Sequence, residues 1–255
     1  MEPLSTAMTA IPPPLRAWLK NTKNRCAPGE IAAYWKTGDV LTFLAVTGMY
    51  DISLEEGLDC AEKERVLEFK SEYFKKRFVV SRSLLKSILL HLRGTGNRNT
   101  IVLSQKNKGV LVPGVPDIFI SLSYSGSSIA ITFAKRKIGS DIEKVRSTDL
   151  KKVRSSPFYD CLKSHTKKED SYHTLHVWTL VEAYAKLRDQ NPYPLLNKSS
   201  LLHDASFVSY CIDRRLILSL VYDTGNLNHT MFWIDPEQWS FGQKQETCKN
   251  SPFPR

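Results

Sequence analysis

The order in which hydrophobic patterns follow one another constrains the fold most tightly, because it comes close to repeating itself. Asp39 to Tyr50 is rich in Leu, Val, Phe and Thr, which predicts a strand. From about Cys60 to Leu92 the pattern is helical with one break: Phe74, Phe78, Leu85, Ile88, Leu89 and Leu92 recur at spacings of three and four. Ile118–Ser123 and Ile129–Ala134 flank Ser125-Gly126-Ser127, as the arms of a hairpin would. The order then recurs. Ile138 to Val145 is extended, Leu175 to Arg188 is helical, and Gln190-Asn-Pro-Tyr-Pro194 ends that helix. Ser206–Ile212 and Leu216–Tyr222 make a second hairpin around Asp213-Arg214, and His229–Ile234 adds a strand. Strand, long helix and hairpin thus occur twice. The expectation is an α+β protein of two similar halves dividing near residue 135.

The flanks are less regular. Residues 1–30, with Pro3 and Pro12-Pro13-Pro14, read as an N-terminal lead-in, and residues 236–255 as a polar tail. Residues 31–135 and 136–235 are the expected subdomains. Gly94 and Gly96 are expected to stop the first helix, Ile101–Leu103 to form a short strand, and Lys106-Asn-Lys-Gly109 to turn. Residues 146–170 are polar and basic with a weak helical pattern. With 255 residues, 42% hydrophobic and 24% charged, the composition is that of an ordinary globular protein. No apolar run suits a membrane span, and the first residues do not resemble a signal peptide. Five scattered cysteines in no zinc-like spacing read as reduced thiols, so a cytoplasmic protein is expected. The net charge of +10 predicts anionic partners: nucleic acid, membrane headgroups, phosphorylated cofactors or acidic proteins.

Chemistry concentrates in two stretches. Asp141 and Glu143 lie two apart on an expected strand, hence on one face. Two such carboxylates repel unless a cation lies between them; the plain alternative is a solvated strand face. In the second helix Glu182 and Lys186 are four apart, as in a surface ion pair. Trp178 lies one turn earlier on the same face, however, which suggests that this face abuts another element and is partly desolvated. Hard carboxylate oxygens with no thiolate or imidazole partner favour Mg²⁺ shared with substrate phosphates, and a lysine to neutralise a phosphate oxygen. That combination implies phosphoryl-type chemistry.

Four blocks in order resemble the Sfp-type 4′-phosphopantetheinyl transferases. Gly139, Asp141 and Glu143 match Gly-x-Asp-x-Glu; Trp178, Glu182 and Lys186 match Trp-x-x-Lys-Glu-x-x-x-Lys. Ser123-Tyr124-Ser125-Gly126 resembles the family's Ser-His-Ser-Gly hairpin, and Lys76-Arg77-Phe78-Val-Val-Ser-Arg82-Ser-Leu-Leu85 its Arg-Arg-Phe-x-x-x-Arg-x-x-Leu stretch. The blocks cover roughly residues 65 to 190. The resemblance implies a pseudo-dimer of two small antiparallel sheets, each packed on a long helix, with coenzyme A between the halves. It implies Mg²⁺ on Asp141, Glu143 and Glu182, and Lys186 stabilising charge on the phosphates. Glu182 would be the base for the hydroxyl of a carrier-protein serine. Ser123 and Tyr124 would lie near the coenzyme phosphates, with Arg82 and Lys75 near the 3′-phosphate. A duplicated chain makes a monomer the expectation.

The sequence departs from the family at Tyr124 (family His), Val181 (family Lys), Val110 in Gly109-Val110-Leu111 (family Gly-Lys-Pro) and Ser140 (usually Val or Ile). The first three subtract coenzyme-binding groups, while the metal ligands survive. A histidine restored at position 124 is therefore expected to tighten coenzyme binding. The basic segment 144–168 reads either as a solvated loop or as a docking surface for acidic carrier proteins. His165, His173 and His176 read as surface or packing residues. Two other readings stay open: a relative that binds carrier or coenzyme without turnover, and a basic nucleic-acid-binding protein, which leaves the ordered carboxylates unexplained.

Overall fold

A computed structural model describes residues 18–19, 25–50, 57–93, 103–104, 110–112, 117–146, 150–163, 171–198, 204–223, 225–237 and 239. In chain order these hold β1 (Trp18–Leu19), α1 (Ile31–Thr37), β2 (Val40–Val46), α2 (Cys60–Glu68), α3 (Glu72–Arg93), β3 (Leu103–Ser104), β4 (Val110–Leu111), β5 (Phe119–Ser125), β6 (Ser128–Ala134) and β7 (Ile138–Lys144). There follow α4 (Lys151–Arg154), α5 (Pro157–Lys163), α6 (Ser171–Arg188), α7 (Pro192–Leu195), β8 (Ser206–Ile212), β9 (Leu216–Tyr222) and β10 (His229–Trp233). Gly94, Gly96, the Lys106–Gly109 turn, most of the lead-in and most of the tail lie outside the described residues.

The strands form two sheets, ordered β10-β2-β6-β5-β4-β3 and β1-β8-β9-β7. Within each sheet the chain follows one course. β2 pairs antiparallel with β6, which pairs with β5; β7 pairs antiparallel with β9, which pairs with β8. Two strands cross the division expected from sequence: β10 pairs parallel with β2, and β1 pairs parallel with β8. Each lends its backbone groups to an edge that would otherwise be open.

Alternation in the strands sorts the core into layers. Leu41, Phe43 and Ala45 of β2 and Ile129, Ile131 and Phe133 of β6 pack with Val79, Leu84, Leu85, Ile88 and Leu89 of α3. On the other face of the same strands, Val40, Leu44, Ala130 and Ala134 meet Ile138, Ile142, Leu218 and Leu220 of the second sheet. Val221 then packs beneath Val177, Leu180, Val181, Ala183 and Leu187 of α6. The order is helix, sheet, sheet, helix. β9 is buried throughout, which explains its nearly unbroken apolar run. Phe74, expected with the apolar stripe of α3, is 47% exposed, because the first turn of that helix lines a cleft rather than the core.

One glycine fixes the distance between α6 and β7. A Cβ on Gly139 would lie 1.8 Å from the Ala183 carbonyl oxygen and 2.7 Å from the Leu187 nitrogen. Only hydrogen fits there. Since side chains two apart share a face, Asp141 and Glu143 lie on the helix side of β7, where Glu182 and Lys186 project from α6.

Candidate functional site

Lys186 leaves its helix to meet the strand. Its Nζ donates to Asp141 Oδ1 at 2.7 Å and to the Ser140 carbonyl at 3.0 Å. The ion pair expected along α6 with Glu182 gives way to one across the layer, because close packing at Gly139 brings β7 within reach. Glu143 is held separately: Ser125 Oγ donates to its Oε2 at 2.6 Å, and Arg146 lies 3.5 Å from the same oxygen.

The carboxylates share one electrostatic space. Asp141 is 6% exposed, and burial pushes its carboxyl up to about 7; Lys186 opposes this, while Glu182 and Glu143 push it further. Burial also raises Glu182, with Lys186 opposing and Glu143 adding to the rise. Among the described residues, however, no three Asp, Glu, His or Cys side chains are gathered closely enough to hold a metal ion between them. Asp141 and Glu143 are instead balanced by Lys186 and Arg146. The donor set still suits a hard divalent cation: carboxylate oxygens from facing elements, mutually repelling and partly dry.

Serines join the two sheets beside this site. Ser121 Oγ accepts from the Ser140 amide at 2.8 Å, and Ser125 Oγ accepts from the Lys144 amide at 2.8 Å. These hydroxyls satisfy backbone donors of β7 in place of a neighbouring strand. Ser123, between them, is 2% exposed, and its Oγ has no hydrogen-bond partner among the described residues.

A cleft of about 840 Å³ opens between α2, α3, β5 and the C-terminal end of α6, a volume suited to a nucleotide-sized ligand. Glu182, Lys186, Tyr124 and Arg82 line it, together with Arg65, Arg77, Phe69, Phe74 and Phe78. The Tyr124 hydroxyl donates to Ser81 Oγ at 2.9 Å, and the Arg77 guanidinium lies 4.6 Å from the centre of its ring. Burial raises the Tyr124 phenol above its ordinary value, opposed by the Ser81 hydrogen bond and by Arg82, Arg77 and Arg65. Arg82 is 4% exposed; its Nε and Nη1 have no hydrogen-bond partner among the described residues. A buried cation with open donors is a receptor for an anion.

Of the residues singled out from sequence, Asp141 and Lys186 are in direct contact, and Glu182, Lys186, Tyr124 and Arg82 face the cleft. Ser123 belongs to the seam between sheets, and Lys75 pairs with Glu72 at 3.8 Å; neither lines the cleft. Val181 is fully buried in the α6 core, and Val110 lines the cleft without charge, so the cations missing from the sequence are missing from the site. Arg65 and Arg77 were not singled out. Arg77 stands within the arginine block quoted above, which is a usable signal, whereas Arg65 sits on a helix with no motif.

No protein-family model matches the chain. It is 25% identical over 177 residues to the 4′-phosphopantetheinyl transferase Sfp of Bacillus subtilis strain 168, covering 63% of this chain and 79% of that protein. It is 24% identical over 223 residues to the 4′-phosphopantetheinyl transferase ffp of Bacillus subtilis, covering 81% of this chain and 94% of that one.

Proposed function

We propose that this chain, a relative of the Sfp-type 4′-phosphopantetheinyl transferases, moves the 4′-phosphopantetheine group of coenzyme A onto a serine of an apo carrier protein. Adenosine 3′,5′-bisphosphate leaves. The observation that carries the reading is the cleft itself: Glu182 and Lys186 at one end, and at the other an arginine group in which Arg82 has open donors. The matching courses of β2-β6-β5 and β7-β9-β8 support a pseudo-dimer with the cleft between its halves.

In this reading Asp141, Glu143 and Glu182 would hold Mg²⁺, which when bound supplies charge neutralisation at the pyrophosphate. Lys186 stabilises negative charge that develops on the phosphate oxygens. Glu182 accepts the proton of the attacking serine hydroxyl; burial raises its basicity, which suits that task. Arg82, Arg77 and Arg65 bind the nucleotide phosphates, in a site where Tyr124, Val181 and Val110 supply no cation. The exposed Lys144 and Arg146 beside Glu143, with the exposed Lys151, Lys152 and Arg154 of α4, would steer an acidic carrier protein toward the site.

A second reading, binding without turnover, is favoured by the Lys186–Asp141 pair and by the missing cations. Incubation with coenzyme A, Mg²⁺ and an apo carrier separates the two. Modification of the carrier serine supports the transferase; carrier binding without modification supports the second reading.

A further inference from the structure

The charge of Arg82 is balanced from behind the cleft. Burial pulls its guanidinium down from the ordinary value and Arg65 adds to this, while Tyr124, Glu62 and Asp59 hold it up. Glu62, in the first turn of α2, is 6% exposed, and Asp59 is the cap that precedes it. Between these two carboxylates lies the ammonium of Lys86 from α3, 3.1 Å from Asp59 Oδ2 and in contact with Glu62 Oε2. The Lys86 side chain is 3% exposed. Two carboxylates and two cations therefore offset one another in the interior.

The same carboxylates form the reciprocal cap of α2. Asp59 Oδ1 accepts from the Glu62 amide at 2.9 Å, and Glu62 Oε2 accepts from the Asp59 amide at 3.1 Å. Lys86 thus grips the start of α2 from α3. Arg65 follows Glu62 by three residues, so its place depends on that grip. Its guanidinium lies 5.4 Å from the centre of the Phe78 ring, and that of Arg82 lies 5.3 Å from the same ring. Both arginines line the cleft.

We propose that Asp59, Glu62 and Lys86 are positioning residues for anion binding: by locking α2 onto α3 they hold Arg65 over Phe78, beside the Arg82 that α3 itself supplies, so that both guanidinium groups face one phosphate group of the ligand. The inference rests on the nucleotide reading of the cleft. A purely electrostatic view gives the opposite sign, since removing a buried carboxylate near a phosphate would strengthen binding.

The test compares Glu62→Gln, Lys86→Met and Lys86→Arg with the wild type. Adenosine 3′,5′-bisphosphate binding is measured by calorimetry, and the folded fraction by circular dichroism. Glu62→Gln retains Lys86 and Asp59, so a result is available even where Lys86→Met fails to fold. The expected result is a dissociation constant raised ~10-fold or more in folded Glu62→Gln and Lys86→Met, and largely restored in Lys86→Arg. For transfer, KM for coenzyme A should rise by a similar factor with kcat nearly unchanged. A purely structural role would lower the folded fraction without altering the affinity of what remains folded. Unchanged or tighter binding in folded Glu62→Gln overturns the inference alone. A wild-type protein that does not bind the bisphosphate overturns the nucleotide reading, and this inference with it.

Discussion

Lys186 Nζ lies 2.7 Å from Asp141 Oδ1, so a helix and a strand 45 residues apart in sequence meet through one ion pair. Asp141 is nearly dry, and its charged form depends on that ammonium. Lys186→Met removes the opposing charge but keeps the aliphatic stem. The expected cost is about 1–3 kcal/mol of stability, read from denaturant unfolding, below the full penalty of a buried pair because Lys186 is partly exposed. Transfer should fall by roughly 100-fold or more, because phosphate charge then lacks its cation.

Gly139→Ala tests the packing that makes this meeting possible. The added carbon would collide with the Ala183 carbonyl, which belongs to helix backbone and cannot rotate away. The variant should lose about 3 kcal/mol or more, and surviving folded protein should transfer poorly because α6 is displaced from β7. Unfolding curves and activity per folded molecule measure the two effects separately.

Divalent-cation binding should stabilise the wild type. Mg²⁺ bound to the folded state alone raises the melting temperature with concentration, by the ordinary linkage of binding and folding. In Asp141→Asn and Glu182→Gln the rise should shrink markedly. Equal shifts in all three proteins would place the cation elsewhere.

The surroundings of Tyr124 bear on the expectation that a histidine there tightens coenzyme A binding. By sequence alone, a histidine there offers an extra cation for phosphate. In the structure the phenol reaches Ser81, and its ring supports Arg77 amid three guanidinium groups. Tyr124→His should therefore weaken coenzyme A binding, because imidazole is shorter and its charge would be repelled. Tyr124→Phe, which keeps the ring, should cost only about 1 kcal/mol. Titration calorimetry of both variants gives the order.

Acid should destabilise the protein through His176. Its Nε2 bonds Ser209 Oγ at 2.9 Å beneath α6, Ser219 joins Ser209 to Thr179, and burial with nearby His173 lowers its pKa to about 4. The unfolded chain, with an ordinary histidine near 6.5, binds the proton more readily. The contribution is therefore complete above about pH 6.5 and lost as pH falls toward 4, on the order of 3 kcal/mol. His176→Gln should flatten that part of the stability profile.

Much of this arrangement was legible in the chain. Alternation and helical spacing mark β5, β8 and α3 because each has one face turned to a core, whereas β6, β9 and α6, buried on most sides, show as apolar runs. The Gly139-x-Asp141-x-Glu143 spacing gave the face of β7, since period two is a local property. Which edges β1 and β10 would cover was not legible, because pairing of distant strands leaves no local pattern. Arg65 carries no local signal for a similar reason: α2 reaches the cleft through long-range contacts, Lys86 with Asp59 and Glu62 and Val66 in the core. The choice of Asp141 as partner for Lys186 likewise depends on a packing distance that Gly139 permits but does not announce.

The most direct measurement is the intact mass of an apo carrier protein after incubation with this protein, coenzyme A and Mg²⁺. A gain of one phosphopantetheine on the carrier serine is expected, abolished by Glu182→Gln with the fold retained. An unmodified carrier, with the wild-type protein folded and coenzyme A bound, would contradict it.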